Sequence, residues 1–154
     1  MAKLISLRFP KKPKNGDEVH IRGKLEDNAK TFSVDFCLPR NPQDEESPSY
    51  VAYRFQTIYP EGPDSQVIQT WKNIEWRDNH MDENYWHTER TDKFSVVFRL
   101  YSESIKVFAD RADHPPEYEF DLHLPLDQIE VIELRDDFEN IEEISFRYAI
   151  TNGD

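Results

Sequence analysis

Apolar and polar residues alternate along most of this chain in short runs, and the runs are broken by Pro, Gly and Asp/Asn clusters. Alternation with a period of two predicts half-buried strands, while the scarcity of 3.6-residue stripes argues against long helices. Phe32, Val34 and Phe36 alternate with Ser33, Asp35 and Cys37. Val51, Tyr53, Phe55, Thr57 and Tyr59 share one face of a run whose other face carries Ala52, Arg54, Gln56 and Ile58. Similar runs cover residues 4–9, 19–23, 66–71, 129–134 and 144–148. Phe94, Val96, Phe98 and Leu100 lead through Ser102-Glu103-Ser104 into Ile105, Val107 and Ala109, which predicts a hairpin. Tyr118, Phe120, Leu122 and Leu124 alternate with Glu117, Glu119, Asp121 and His123. Residues 125–128 read as one helical turn. Residues 39–49 read as a loop and residues 72–84 as a long polar connection, in which Trp76 either caps a site or fills a satellite core. The pattern predicts about ten to twelve strands in an all-β fold, a sandwich or a barrel.

Length and composition narrow this picture. The 154 residues suffice for one domain, expected to span 1–154. A net charge of -12 argues against nucleic acid and against anionic membrane surfaces, because both need a basic stripe. An aromatic content of 13% argues against disorder despite the charge. The single cysteine, Cys37, sits in a strand-like run and reads as a buried thiol. The N-terminal apolar run is too short for a signal peptide, and no apolar run is long enough to span a bilayer. The expectation is a cytosolic protein, or one exported without a signal.

The residue types associated with chemistry are mostly missing. The five histidines lack metal-site spacing, and no Gly-rich phosphate loop or Gly-x-Ser-x-Gly occurs. The acids of residues 44–46 read as a solvated loop. Asp78, Asp82, Glu83 and Asn84 offer oxygens but lack the spacing and the central Gly of a Ca²⁺ loop. No cofactor or metal is expected, and the chain leans toward a binding module rather than an enzyme. The stretch Tyr85-Trp86-His87-Thr88-Glu89-Arg90 puts an indole beside a carboxylate and a guanidinium. Such a set can stack on a sugar ring and read the hydroxyls around it. Arg54, Gln56, Thr70, Trp86 and Glu89 form a candidate site if their segments lie side by side. The other reading makes them outward residues of an exposed sheet face, with Trp86 covering it.

The order of segments resembles the galectin family over nearly the whole chain. The pieces are Asn15-Gly16 to Ile21-Arg22-Gly23, Phe32-Ser33-Val34-Asp35-Phe36, Trp86-His87-Thr88-Glu89, Phe94 to Phe98, Ile105 to Asp110, Phe120 to Leu126 and Ile129 to Asp137. The resemblance implies an antiparallel two-sheet β-sandwich of the jelly-roll, concanavalin-A-like kind, with about five or six strands per sheet. It implies a lectin of the β-galactoside-binding class whose partners are glycans or glycoproteins, as a monomer or a weak homodimer.

The site departs from the family pattern. The family's His-x-Asn-x-Arg strand reads Arg54, Gln56 and Ile58 here, and the following Asn reads Thr70. Trp86 and Glu89 align with the family's Trp and Glu. The Arg two places on reads Thr91, while Arg90 stands one place early. An aliphatic at Ile58 cannot replace a guanidinium fork. The implied carbohydrate-binding set is therefore Trp86, Glu89, Arg54, Gln56, Thr70 and Arg90. Two functions follow: a lectin with an altered or weakened glycan preference, or a galectin-fold module for protein partners that has largely lost sugar binding. The connection before Trp86 is expected to reshape or cover the groove.

Overall fold

Alternating strands with one apolar face must bury that face against another layer, and here they do so in two antiparallel sheets. The computed structural model describes residues 3–42, 48–62 and 64–150. Its strands are β1 (Lys3–Arg8), β2 (Asp17–Leu25), β3 (Thr31–Cys37), β4 (Tyr50–Ile58), β5 (Gln66–Asn73), β6 (Glu75–Glu83), β7 (Lys93–Leu100), β8 (Ser104–Ala109), β9 (Tyr118–Asp121), β10 (Val131–Asp136) and β11 (Phe138–Arg147). One 3-10 turn, Leu126–Gln128, precedes β10. The six-stranded sheet has the order β1-β10-β3-β4-β5-β6, and the five-stranded sheet the order β11-β2-β7-β8-β9. The two-sheet expectation holds, with β9 shorter than its alternation suggested. The acidic loop residues 44–46 lie outside the described residues.

Aromatic rings from the two sheets interlock to form the core. Phe36 and Phe55 meet Phe98 edge-on, with centroids 5.1 and 5.5 Å away, and Phe32 lies 5.1 Å from Phe94. Edge-to-face contacts place the positive ring edge on the negative face, which adds to the area they bury. Cys37 is buried, and burial pushes its thiol well above the ordinary range, so it packs as a small apolar group. Gly23 sits where β2 meets an irregularity of β11. A Cβ there would fall 2.5 Å from the Asn140 carbonyl oxygen, so a side chain would force the strands apart.

Residues 72–84 are the main correction to the sequence expectation. They form no open connection. They are the end of β5, a tight turn at Ile74 and the edge strand β6, which widens the six-stranded sheet by one strand. Two devices hide this strand from the sequence. The turn residue Ile74 has φ of 67°, a conformation in which glycine is expected and a β-branched side chain is not. Asp78, with φ of 52°, marks an irregularity in the β5–β6 register. The extra residue there flips the alternation, so Trp76 and Met81 share a face although one number is even and the other odd.

Candidate functional site

The outward face of the six-stranded sheet is the surface on which the strand pattern sets polar and aromatic groups together. Register fixes its layout. Arg54 pairs with Asp35 on one side and Thr70 on the other. Gln56 pairs with Ser33 and Ile68, and Ile58 pairs with Thr31 and Gln66. Lys72 pairs with Trp76, and Ile68 with Met81. Because alternate residues share a face, Arg54, Gln56, Ile58, Ile68, Thr70, Lys72, Trp76 and Met81 look the same way.

Arg54 is the centre of this face. Its Nε and Nη2 each donate to one oxygen of Asp35 at 2.8 Å. The fork geometry fixes the guanidinium plane, and the plane lies over the Trp76 indole with Cζ 4.0 Å from the ring centroid. The Lys72 ammonium is 5.4 Å from the same ring. Arg135 also reaches Asp35 (3.5 Å) and donates to Glu133, which accepts a further bond from Arg40 at 3.0 Å. A ladder of alternating charges thus runs Arg40–Glu133–Arg135–Asp35–Arg54 across β10, β3 and β4. Burial acts to raise Glu133, but Arg135 and Arg40 together carry its carboxyl below the ordinary value. Burial pushes the Asp35 carboxyl up, against the pull of Arg54 and Arg135.

The other predicted residues of this face are present but engaged. The Thr70 hydroxyl donates to the Arg77 carbonyl at 2.6 Å, and the residue is 4% exposed. The Gln56 amide donates to Thr31 Oγ1 at 3.1 Å, which leaves its carbonyl oxygen as the acceptor. Ile58 offers no polar group.

Trp86 is elsewhere. It is 8% exposed and lies between the sheets, 5.6 Å from Phe55 and 5.8 Å from Phe94. Its indole N–H donates to Thr57 Oγ1 at 3.0 Å, on the inward side of β4. The expected stacking platform is therefore a core residue with no open ring face. Asn84 pins it there. The Asn84 carbonyl oxygen accepts from the backbone N–H groups of Trp86 and His87, and its amide donates to the His87 carbonyl at 2.6 Å. His87 extends the same buried network. Its Nε2 lies 2.8 Å from the Asp92 carbonyl, which can only accept, so Nδ1 is left to accept the Tyr59 hydroxyl at 2.6 Å. Burial holds this imidazole below its ordinary value.

Glu89 and Arg90 follow Trp86 away from the face. With Asp27, Glu61, Ser65 and Thr88 they line a cleft of about 560 Å³ at one end of the sandwich. Arg90 donates to the Pro60 carbonyl at 2.7 Å, and its guanidinium lies 5.5 Å from the Tyr59 ring. Of the six predicted binding residues, the structure brings Arg54, Gln56 and Thr70 together and sets Trp86, Glu89 and Arg90 apart from them. The aromatic that faces outward beside Arg54 is Trp76. The signal for it was a tryptophan in an otherwise polar stretch of edge-strand length. Among the described residues no group of three or more His, Cys, Asp or Glu side chains converges as a metal site.

The outward face of the six-stranded sheet thus carries a half-exposed indole, Trp76, flanked by polar groups from neighbouring strands. The sequence profile of the galactoside-binding lectins matches residues 5–146, and the chain belongs to that family. A search of curated protein sequences returns no match. Among solved structures, a complex of toad ovary galectin with thio-digalactose is similar at a TM-score of 0.73 and 16% identity, covering 94% of this chain and 98% of the other. A human galectin-16 variant gives 0.72 at 16% identity (94% and 95% covered). Sheep galectin-11 in complex with glycerol gives 0.66 at 18% (94% and 96% covered). At these identities the structural likeness concerns the fold.

Proposed function

We propose that this chain is a glycan-binding lectin with an altered preference, its contact surface being the outward face of β4, β5 and β6. The observation that carries the reading is the stack of Arg54 on Trp76, locked by the two-pronged bond to Asp35. A ring-stacking lectin needs an exposed indole for the apolar C–H face of a sugar. This chain keeps the indole but lays its own guanidinium over it. A neutral galactoside must therefore displace Arg54 or bind beside it. Ile58 and the engaged Thr70 offer few donors to the hydroxyls. The toad relative holds thio-digalactose, which supports saccharides as the ligand class. The test is a glycan array with wild type and Trp76→Ala. Wild type is expected to select a subset of glycans, and the variant to lose them. A wild type that binds no glycan, or a variant that binds equally well, overturns the reading.

A second reading has a separate observation behind it. The edge strand β6 carries or adjoins three well-exposed apolar side chains, Ile74, Met81 and Tyr85 (67%, 61% and 52% exposed). An open sheet edge with apolar neighbours suits docking of a protein partner. On that reading, partners captured by the chain stay bound in excess lactose and are lost when Met81→Lys is introduced.

A further inference from the structure

We infer that the glycans this face selects carry a methyl group, as a 6-deoxy sugar or a methyl ether does, and seat it on Ile68 and Met81. The inference rests on the lectin reading above and names the chemistry of its ligand. Register lays the spot out. Gln56 on β4, Ile68 on β5 and Met81 on β6 form one row across the outward face. Side chains directly opposite on neighbouring antiparallel strands stand about 5 Å apart at Cβ, so Ile68 and Met81 make one continuous apolar spot. Ile58, paired with Gln66 in the next row, adjoins it diagonally. Neither Ile68 nor Met81 belongs to the core between the sheets. Ile68 is half-buried, and Met81 is 61% exposed.

The polar groups around this spot decide what it disfavours. The Thr70 hydroxyl is committed to the Arg77 carbonyl and the Gln56 amide to Thr31, which leaves the Gln56 carbonyl oxygen as the acceptor at one end of the row. A sugar hydroxyl held over Ile68 and Met81 gives up water and finds no partner in the side chains beneath it. A methyl group has no hydrogen bond to lose there, and it removes apolar surface from water. The unbranched thioether of Met81 can adjust to its shape. Lys72, the residue opposite Trp76, lies four residues along β5 from Ile68, so the spot is about 13 Å along the face from the indole. A disaccharide with one ring beside Trp76 thus brings its second ring toward the spot. The face that offers a plain galactoside few donors is, for the same reason, suited to a ligand with one hydroxyl fewer to satisfy.

The test compares lactose, by calorimetry, with analogues that are 6-deoxy or 6-O-methyl on either ring, each altered at a single hydroxyl. The analogue whose altered position meets the spot is expected to bind about fivefold more tightly than lactose. That is below the roughly tenfold or more that a methylene gains in an enclosed pocket, because Met81 stands open to water. Met81→Gln and Ile68→Thr are each expected to bring the ratio of the two affinities close to one, with the urea midpoint reporting that the variant is folded. A gain with the deoxy analogues alone identifies a deoxy sugar as the source of the methyl, and a gain with the ethers alone a methyl ether. Lactose binding as tightly as every analogue overturns the inference and leaves the lectin reading standing. A preference that survives both substitutions also overturns it, because the methyl is then read elsewhere. Failure of every sugar to bind removes the lectin reading together with the inference.

Discussion

Two tryptophans ten residues apart in this chain have opposite fates. Trp86 lies in a turn with no strand of its own, and it is sealed between the sheets with its N–H satisfied by Thr57. Trp76 lies on the most exposed of the described strands, half-open, with the Arg54 guanidinium and the Lys72 ammonium at its ring. A sequence motif attracts attention to the first, because Trp86 is followed by Glu89 and Arg90. Topology assigns the outward position to the second. Whether an aromatic builds the core or meets a ligand is decided by which side of a sheet its backbone presents, not by the polarity of its neighbours in sequence.

The comparison breaks most sharply at Trp86 itself. Trp86→Ala is expected to cost about 4 kcal/mol in chemical denaturation, since it removes a large buried ring and leaves Thr57 without its donor. A cost near zero would mean that the ring is not packed as described. Asp35→Ala comes next. It strips the buried partner from Arg54 and Arg135, and breaking such a pair costs about 3 kcal/mol. It also frees the Arg54 guanidinium from its fixed plane over Trp76, so neutral-sugar binding is expected to rise in whatever fraction remains folded. Denaturation and lactose titration on the same variant separate the two effects.

The turn around Trp86 should also be sensitive to mild acid, through His87. His87 is held neutral by burial, with its folded pKa below the ordinary value of 6.5. As pH falls through 6.5, the unfolded chain takes up this proton before the folded one does. The His87 contribution is therefore fully present above that pH and is lost as the pH falls toward the folded pKa. Urea midpoints at pH about 7.5 and about 5.5 should drop in wild type and drop less in His87→Gln, whose amide can still donate to Asp92 and accept from Tyr59. An unchanged slope in the variant assigns the acid sensitivity to another group.

Much of the fold was legible because ten of the eleven strands fall in the stretches where alternation marked a strand. The strand that was not legible, β6, is an edge strand, and its side chains are exposed or half-exposed on both faces, so burial leaves no signature in it. Its bulge at Asp78 also breaks the parity that would place Trp76, and its turn carries Ile74 where a glycine would have announced a hairpin. The site was half legible for the same reason. Arg54, Gln56 and Thr70 lie on strands with clean alternation, and parity put them on one face. Trp86 was misplaced because a tryptophan followed by Glu and Arg has the same local sequence whether it lines a groove or plugs a core. The Asn84 bonds that turn it inward depend on a local conformation that spacing alone does not specify.

Ile74 offers a smaller test of the same account. A β-branched residue with positive φ is strained by about 1 kcal/mol, and the side chain is 67% exposed, so it gains little packing in return. Ile74→Gly is expected to stabilise the chain by up to about 1 kcal/mol in denaturant, by relieving the tight β5–β6 turn. Destabilisation would mean that the side chain has a packing role that its exposure does not reveal. The gain should leave Trp86 fluorescence unaltered, because the turn is remote from the buried network around Asn84.

The least effect on stability belongs to Trp76→Ala, and it is the sharpest test of the comparison. The ring sits on an edge strand and contacts mainly Arg54 and Lys72, so its loss should cost no more than about 0.5–1 kcal/mol. Arg54 stays anchored, because its two bonds to Asp35 do not involve the ring. A variant with a near-native denaturation midpoint and no glycan binding then assigns ligand contact to Trp76 and architecture to Trp86. The reverse pattern, in which Trp76→Ala unfolds the chain and leaves glycan binding in the surviving fraction, would make Trp76 a structural brace for Arg54. In that case the contact surface would have to be sought at the cleft lined by Glu89 and Arg90. Both readouts come from one protein preparation, and only the face-centred account predicts a variant that is stable and silent.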